Sequence, residues 1–280
     1  MIKDKLADLH IHTYYSDSTS SPQEVVEQAL KNELSCISIT DHDIIDGIAE
    51  AQEAARSLNL EVIPGIELSS EFEGRDIHIL GYFIDIQKGP LVEKIESYLD
   101  ERVRRMKQMI LNLQTVGIKD ITYEEAAALT KSRALGRPHL AALLVQKGHA
   151  SSFKNAFDKY LGQGGIAFAP KFKQSPFEAI DLIHQSGGLA VMAHPMLTQK
   201  DELISRMAKA GLDGLEVYYP NCMPVVTECY KKMAKKHGLL MTGGSDAHGK
   251  AKVFTYVGKE AIPYELVEKM KQKLSHESTS

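Results

Sequence analysis

Six histidines and three carboxylates in this chain stand where a metal could use them: His10, His12, Asp17, His42, Glu67, His78, His194, Asp246 and His248. His10 and His12 are two apart in the strand-like run "LADLHIHT", and in a strand residues i and i+2 face the same way. Asp17 follows in a serine-rich loop and can fold back towards them. His42 sits in "SITDHD", Glu67 in "IPGIELSS", His78 in "RDIHILGY", His194 in "AVMAHP", and Asp246 and His248 in "TGGSDAH". Each of these runs is short, apolar and strand-like. The donors are imidazole and carboxylate with no thiolate, which suits Mn²⁺, Fe²⁺ or Zn²⁺ and argues against a structural cysteine-zinc site. A polynuclear cluster of this kind lowers the pKa of bound water and clamps the oxygens of an in-line displacement, so phosphoester hydrolysis is the leading chemistry. Asp41 and Asp43 read as caps or as hydrogen-bond partners of the ligands. His149, His184, His237 and His276 fall in or after helices and turns and read as surface residues.

The elements that must position these groups alternate. Strand "ADLHIHT", helix "PQEVVEQALKNEL", strand "CISITDH", helix "DGIAEAQEAARSLN" and strands "EVIPGIELSS" and "RDIHILGYF" follow one another. Such alternation argues for parallel strands with helical crossovers. Residues 88–165 are helical throughout, with Gly117 as the stop of one long amphipathic segment and a capping box from Thr122 to Glu125. The alternation resumes near residue 176, through strands "GLAVMAHP", "GLEVYYP" and "LLMTGGSDAH". A strand "KVFTYVG" and a terminal helix close the chain. The class is α/β. Roughly seven βα-like units approach the ~250 residues of a closed β/α barrel. Residues 1–87 and 166–280 form the expected barrel, and 88–165 a helical insertion placed as a lid. In such a barrel the C-terminal ends of the strands converge on one face, and six strands would deliver the nine candidates there. The Gly-rich turn of a dinucleotide site is missing after the first strand.

Bulk properties narrow the partners. The chain has 280 residues, a net charge of −4 and a mean hydropathy of −0.22, so no general basic field awaits duplex DNA. Its three cysteines have no paired spacing, which fits a reducing compartment. There is no signal-peptide core and no run of membrane-spanning length. The expectation is a cytoplasmic protein acting on a small anionic substrate, with no membrane partner.

In their order, "DLHIHT…SD", "ITDHD", "PGIEL", "IHILGY", "AHP" and "GGSDAH" resemble the motifs of the PHP (polymerase and histidinol phosphatase) superfamily. The resemblance spans about residues 8 to 250. It implies a distorted (β/α)7 barrel and a centre of three divalent metals, manganese first, with iron or zinc as alternatives. One metal would take His10, His12, Glu67 and Asp246; a second would share Glu67 and add His78 and His194; the third would take Asp17, His42 and His248. The family loop often reads Ser-Asp-Gly, whereas Ser18 follows Asp17 here. Within the superfamily, "GRPHLAALLV", "IAFAPKF" and "GGLAVMAHP" resemble the TrpH-like stand-alone phosphoesterases, which include 3′,5′-nucleotide bisphosphate phosphatases and a 5′-to-3′ RNA exonuclease. That resemblance points to Arg137 and His139 as phosphate contacts with catalytic roles and to Lys171 as a further substrate contact. "GRPH" also reads simply as a helix start with an early proline.

The implied reaction is hydrolysis of a phosphomonoester, foremost of a small nucleotide such as a nucleoside 3′,5′-bisphosphate, by a hydroxide bridging two metals. The leaving oxygen takes a proton from a metal-bound water or from His139. Two alternatives stand beside it. A 5′-to-3′ exonuclease on short RNA could use Arg102, Arg104, Arg105 and Lys107 to guide the backbone, although the same residues read as a solvated helix face laced with Glu101. The other alternative is a non-catalytic, metal-stabilised PHP module.

Overall fold

The computed structural model describes residues 5–130, 132–170, 174–252 and 254–277. Along the chain run β1 (Leu6–Ile11), α1 (Pro22–Lys31), β2 (Cys36–Ile39), α2 (Asp46–Ala55), β3 (Glu61–Phe72) and β4 (Arg75–Tyr82). Next come α3 (Pro90–Thr115), α4 (Tyr123–Ala128), α5 (Arg137–Gln146) and α6 (Phe153–Ala156), which passes into a π-helical turn, Phe157–Leu161. The chain continues through α7 (Pro176–Gln185), β5 (Leu189–Met192), α8 (Pro195–Thr198), α9 (Asp201–Lys209), β6 (Gly214–Tyr218), α10 (Pro224–His237), β7 (Leu240–Gly243), β8 (Ile262–Pro263) and α11 (Glu265–Glu277). Local chemistry sets several starts. Ser21 with Glu24, Thr122 with Glu125 and Ser175 with Glu178 close reciprocal capping boxes at α1, α4 and α7, each satisfying two otherwise orphaned N–H groups.

The strands form one sheet in the order β7-β6-β5-β4-β3-β2-β1-β8. β1, β2 and β3 are parallel, as are β5, β6 and β7, but β4 runs antiparallel to both its neighbours. This corrects the expectation of uniform parallel crossovers. The cause is local: Glu73 and Gly74 both have positive φ, 51° and 78°, which is the two-residue hairpin geometry that matches strand twist. The first half of β4 therefore lies beside the C-terminal ends of the other strands, and it carries His78 opposite Ser69.

The sheet closes into a nearly complete barrel. At one end β8 pairs antiparallel with Leu6 and Ala7. At the other, Ile11 bridges Ala247, and the His12 N–H donates to the Ala247 carbonyl at 3.0 Å. The expected strand "KVFTYVG" is absent among the described residues, which form bends and turns there. Phe254 is 80% and Tyr256 54% exposed, so the alternation has no covered face to pack. Ile262 and Pro263 fill the β1 edge instead.

One apolar cluster lies between the sheet and its helices, including Ile39, Ile66, Ile79, Met192 and Ile180. Another fills the barrel with Leu9, Ile63, Leu80, Tyr82 and Val191, with Val267 and Met270 of α11 against it. A separate cluster runs from Met106 to Ala169 through α3–α6. The 26-residue α3 joins both regions: Leu91, Ile95, Tyr98 and Leu99 pack with the barrel, Met106, Met109 and Leu113 with the helical layer. No helix among the described residues is long and apolar enough to cross a membrane.

Candidate metal centre

β1 is buried along its length, so both of its inward histidines are held at the barrel axis. His10 and His12 are fully buried, with their Nε2 atoms 3.1 Å apart. Glu67, near the centre of β3, is the hub. Its Oε2 lies 3.3 Å from His10 Nε2, 3.2 Å from His12 Nε2 and 3.2 Å from His42 Nδ1. Its Oε1 lies 2.8 Å from His78 Nδ1 and 3.1 Å from His194 Nε2. Asp246 places Oδ1 3.2 Å from His12 Nε2 and 3.6 Å from His10 Nε2. Asp17 folds back so that Oδ1 is 3.2 Å from His248 Nε2 and Oδ2 is 3.9 Å from His42 Nε2. All nine sequence candidates thus meet in one place. Ser18 has no positive φ, so the Asp17 loop forms without the glycine seen in the family pattern.

Surrounding groups fix the rings. His10 Nδ1 lies 2.8 Å from Glu216 Oε1, and Glu216 Oε2 accepts the His194 N–H at 2.6 Å. His248 Nδ1 donates to the Asp246 carbonyl at 2.8 Å. Each contact puts the proton on Nδ1 and leaves Nε2 as the inward donor atom. Sequence reading missed Glu216; its signal is an acidic residue inside the otherwise apolar run "GLEVY". The outer oxygen of Asp246 is held by Tyr219 Oη at 2.8 Å and Lys252 Nζ at 2.9 Å, two further residues the sequence did not single out. Asp41 accepts from the Thr13 N–H, the Thr13 hydroxyl and the Ser16 hydroxyl, which shapes the loop carrying Asp17. Asp43, at φ 54°, accepts from the Ser69 N–H at 2.7 Å and binds Arg102. His194 and Asp246 also have positive φ, 26° and 48°, so the site concentrates backbone strain of about 1–3 kcal/mol per residue.

The electrostatics are those of a crowded set of donors. Burial works against ionisation of Glu67, but His42, His10 and His78 outweigh it and hold the carboxyl well below its ordinary value. Asp17 and Asp246 are held down in the same way by their imidazole neighbours. Burial pushes His42 down to about 3, and burial together with His12 lowers His248. Burial opposes protonation of His10, yet Glu216, Glu67 and Asp246 raise it well above the ordinary imidazole value.

These residues fit divalent cations. Four imidazole nitrogens are buried with no hydrogen-bond partner: His12 Nδ1, His42 Nδ1, His194 Nδ1 and His248 Nε2. Such orphans are costly, and a cation would satisfy donors of this type. Three groups have ligand atoms within 4.8 Å of one another: His12, Asp17, His42 and His248; His10, His12 and Glu67; and His42, Glu67 and His78.

The cluster opens into a cleft of about 500 Å³, bordered by Asp17, His42 and His78 on one side and by Arg102, Arg105, Arg137 and His139 on the other. Arg137 begins α5, and its guanidinium lies 5.6 Å from the Phe157 ring centroid. His139 Nδ1 accepts the Gly136 N–H at 3.1 Å, so Nε2 carries the proton; burial lowers its pKa. Lys171 lies outside the described residues. The basic run on α3 divides by face. Arg102 and Arg105, three apart, line the cleft, whereas Arg104 is exposed on Glu101 and Lys107 lies over Tyr123. A wholly solvated face is therefore corrected for Arg102 and Arg105. The surface reading of two histidines also changes. His184 is half-buried, 2.8 Å from Asp213, and His149 lies 2.8 Å from Asp120.

The PHP domain family profile matches residues 8–162. The chain belongs to the PHP family. Among curated relatives, this PHP chain is 36% identical to a 5′-3′ exoribonuclease of Escherichia coli, over 86% of the chain and 84% of the relative. It is 30% identical to a phosphoribosyl 1,2-cyclic phosphate 1,2-diphosphodiesterase of Eggerthella lenta, over 90% and 98%. It is also 30% identical to a 3′,5′-nucleoside bisphosphate phosphatase of Chromobacterium violaceum, over 86% of each. A solved structure from Bifidobacterium adolescentis, provisionally described as a metal-dependent phosphoesterase, superposes with a TM-score of 0.83 at 32% identity and covers 94% of both chains. The PHP chain is accordingly a metal-dependent hydrolase of phosphate esters.

Proposed function

We propose that the chain hydrolyses a phosphate ester of a nucleotide, foremost a nucleoside 3′,5′-bisphosphate. The observation that carries this reading is the convergence of nine imidazole and carboxylate side chains, four with orphaned ring nitrogens, beneath a cleft whose opposite wall is arginine-rich. The finer assignment is a centre of three divalent metals, manganese first, held by His10, His12, Glu67 and Asp246; by Glu67, His78 and His194; and by Asp17, His42 and His248. Bound divalent cations would supply Lewis acidity and an ionised water at neutral pH.

The chain's own groups do the rest. Arg137 offers a planar fork to the phosphoryl oxygens. His139 is neutral because burial lowers its pKa, and its Nε2–H is available as a donor to the leaving oxygen. The helices 88–165 act as a lid that carries both residues over the cluster. Lys171 is a third proposed contact. A second reading, a 5′-to-3′ exonuclease on short RNA, is favoured by the orientation of Arg102 and Arg105 into the cleft and by the 36% identity to an exoribonuclease.

The test is phosphate or nucleotide release with added Mn²⁺ from adenosine 3′,5′-bisphosphate, AMP and a short 5′-phosphorylated RNA. Wild type is compared with Asp17→Ala and His194→Ala. Release from the bisphosphate, lost in both variants, supports the phosphatase. Preference for RNA moves the assignment to the exonuclease. Metal binding without turnover of any of the three overturns both.

A further inference from the structure

Arg105 is half-buried in the cleft wall and carries no acidic partner. Its Nε donates to the Ala169 carbonyl at 2.9 Å, which orients the guanidinium, and its terminal nitrogens meet no protein acceptor among the described residues. Arg102, one helical turn before it, is neutralised by Asp43. Arg137 stands on the Phe157 ring and likewise meets no carboxylate among the described residues. The N-terminus of α5 adds its positive end beside them, since Arg102 Nη1 lies 3.9 Å from where a Gly136 Cβ would be. Burial, together with Arg137 and Arg102, pushes Arg105 down to about 10. Crowded like charges destabilise the fold unless an anion relieves them. The acidic residues of the cleft, Glu71 and Asp76, stand on the β3–β4 hairpin, so the cationic surface is confined to the α3–α5 wall.

We infer that Arg105, flanked by Arg102 and Arg137, forms a subsite for a second, non-scissile phosphate of the substrate. The inference rests on the phosphoesterase reading and deepens it. The metal cluster takes the ester that is cleaved, and the guanidinium wall takes an additional anion on the same molecule. The subsite makes a nucleoside bisphosphate a better substrate than either nucleoside monophosphate.

The test compares wild type, Arg105→Ala and Arg105→Lys on adenosine 3′,5′-bisphosphate, 3′-AMP and 5′-AMP, with melting temperature recorded for each. Calorimetric binding of the bisphosphate and of AMP to chelator-treated protein runs in parallel. In Arg105→Ala, the selectivity for bisphosphate over monophosphate falls by about tenfold or more, chiefly through KM, as expected for loss of a charge-assisted contact. Bisphosphate affinity falls alongside, and Arg105→Lys recovers part of both. A selectivity ratio and a bisphosphate affinity both unchanged in Arg105→Ala overturn the subsite while leaving the phosphoesterase reading intact. An equal loss on all substrates with a lowered melting temperature also overturns it, because the residue then only anchors the Ala169 carbonyl. If wild type cleaves none of the three substrates but Arg105→Ala still weakens bisphosphate binding selectively, the subsite stands and the phosphatase reading falls.

Discussion

Glu216 lies behind the metal-ligand candidates, yet it sets the tautomer of His10 and holds the backbone of His194 with its other oxygen. Removing such a carboxylate typically costs roughly 10–100-fold in metal affinity. Glu216→Ala is therefore expected to weaken Mn²⁺ binding by about that range, measured by titration calorimetry, with circular dichroism to verify the fold. An affinity equal to wild type would show that β1 alone orients His10. At the opposite end of the barrel, burial raises the Asp213 carboxyl, but His184, Lys273 and the Ala190 N–H outweigh it and hold the pKa below the ordinary value. A carboxyl depressed in the folded state stabilises the protein above its unfolded pKa, about 3.9, and loses that contribution as pH falls through the lower folded value. Asp213→Asn is expected to be less stable than wild type at neutral pH and to approach it as pH drops below about 4. Thermal unfolding of both proteins across that range checks the sign.

Elements act here through close approach. β7 ends in Gly243 and runs into Gly244, whose α-carbon faces the backbone and side chain of His10; a Cβ there meets the His10 amide nitrogen, and Asp8 Oδ1 lies 2.8 Å from it. That contact, with the Ile11–Ala247 bridge, brings Asp246 and His248 against β1. Gly244→Ala must push the strands apart, at a cost of about 1–3 kcal/mol, and should lower metal affinity by displacing His10. Urea unfolding and metal titration of the same variant measure the two effects; unaltered values would mean that the closure seam is loose. The long α3 has a different role. Its first half is rooted in the barrel core and its second in the helical layer, so Arg102 and Arg105 near its middle are carried rigidly towards the cluster.

For the whole molecule, the cluster is a concentration of buried donors that folding assembles before any cation arrives. Cations that bind only the folded chain stabilise it by mass action, by about 2.7 kcal/mol at a hundredfold excess over Kd. Chelation is expected to lower the melting temperature by several degrees and Mn²⁺ to restore it, read by circular dichroism melts. In His12→Ala, which removes a donor near both Glu67 and Asp17, the shift should shrink. A chelator-insensitive wild type would argue against a resident metal.

Much of this protein is written in short-range patterns. The histidine pair of β1, the capping boxes and the strand-like runs that carry Glu67, His194 and Asp246 depend on neighbours within a few residues, so the sequence by itself determined the candidate donors and the helix starts. The two-residue turn that reverses β4 was also local, in Glu73-Gly74, but alternation alone did not reveal it. Other features needed the tertiary structure. Glu216 pairs with His10 across 206 positions, and β8 displaces "KVFTYVG" because only the assembled barrel decides which segment reaches the β1 edge. The same is true of Arg102 and Arg105. Their three-residue spacing puts them on one helix face, but only the packing of α3 between two cores determines that this face looks into the cleft. Burial and long-range approach convert residue types into a site, and neither is encoded in spacing along the chain.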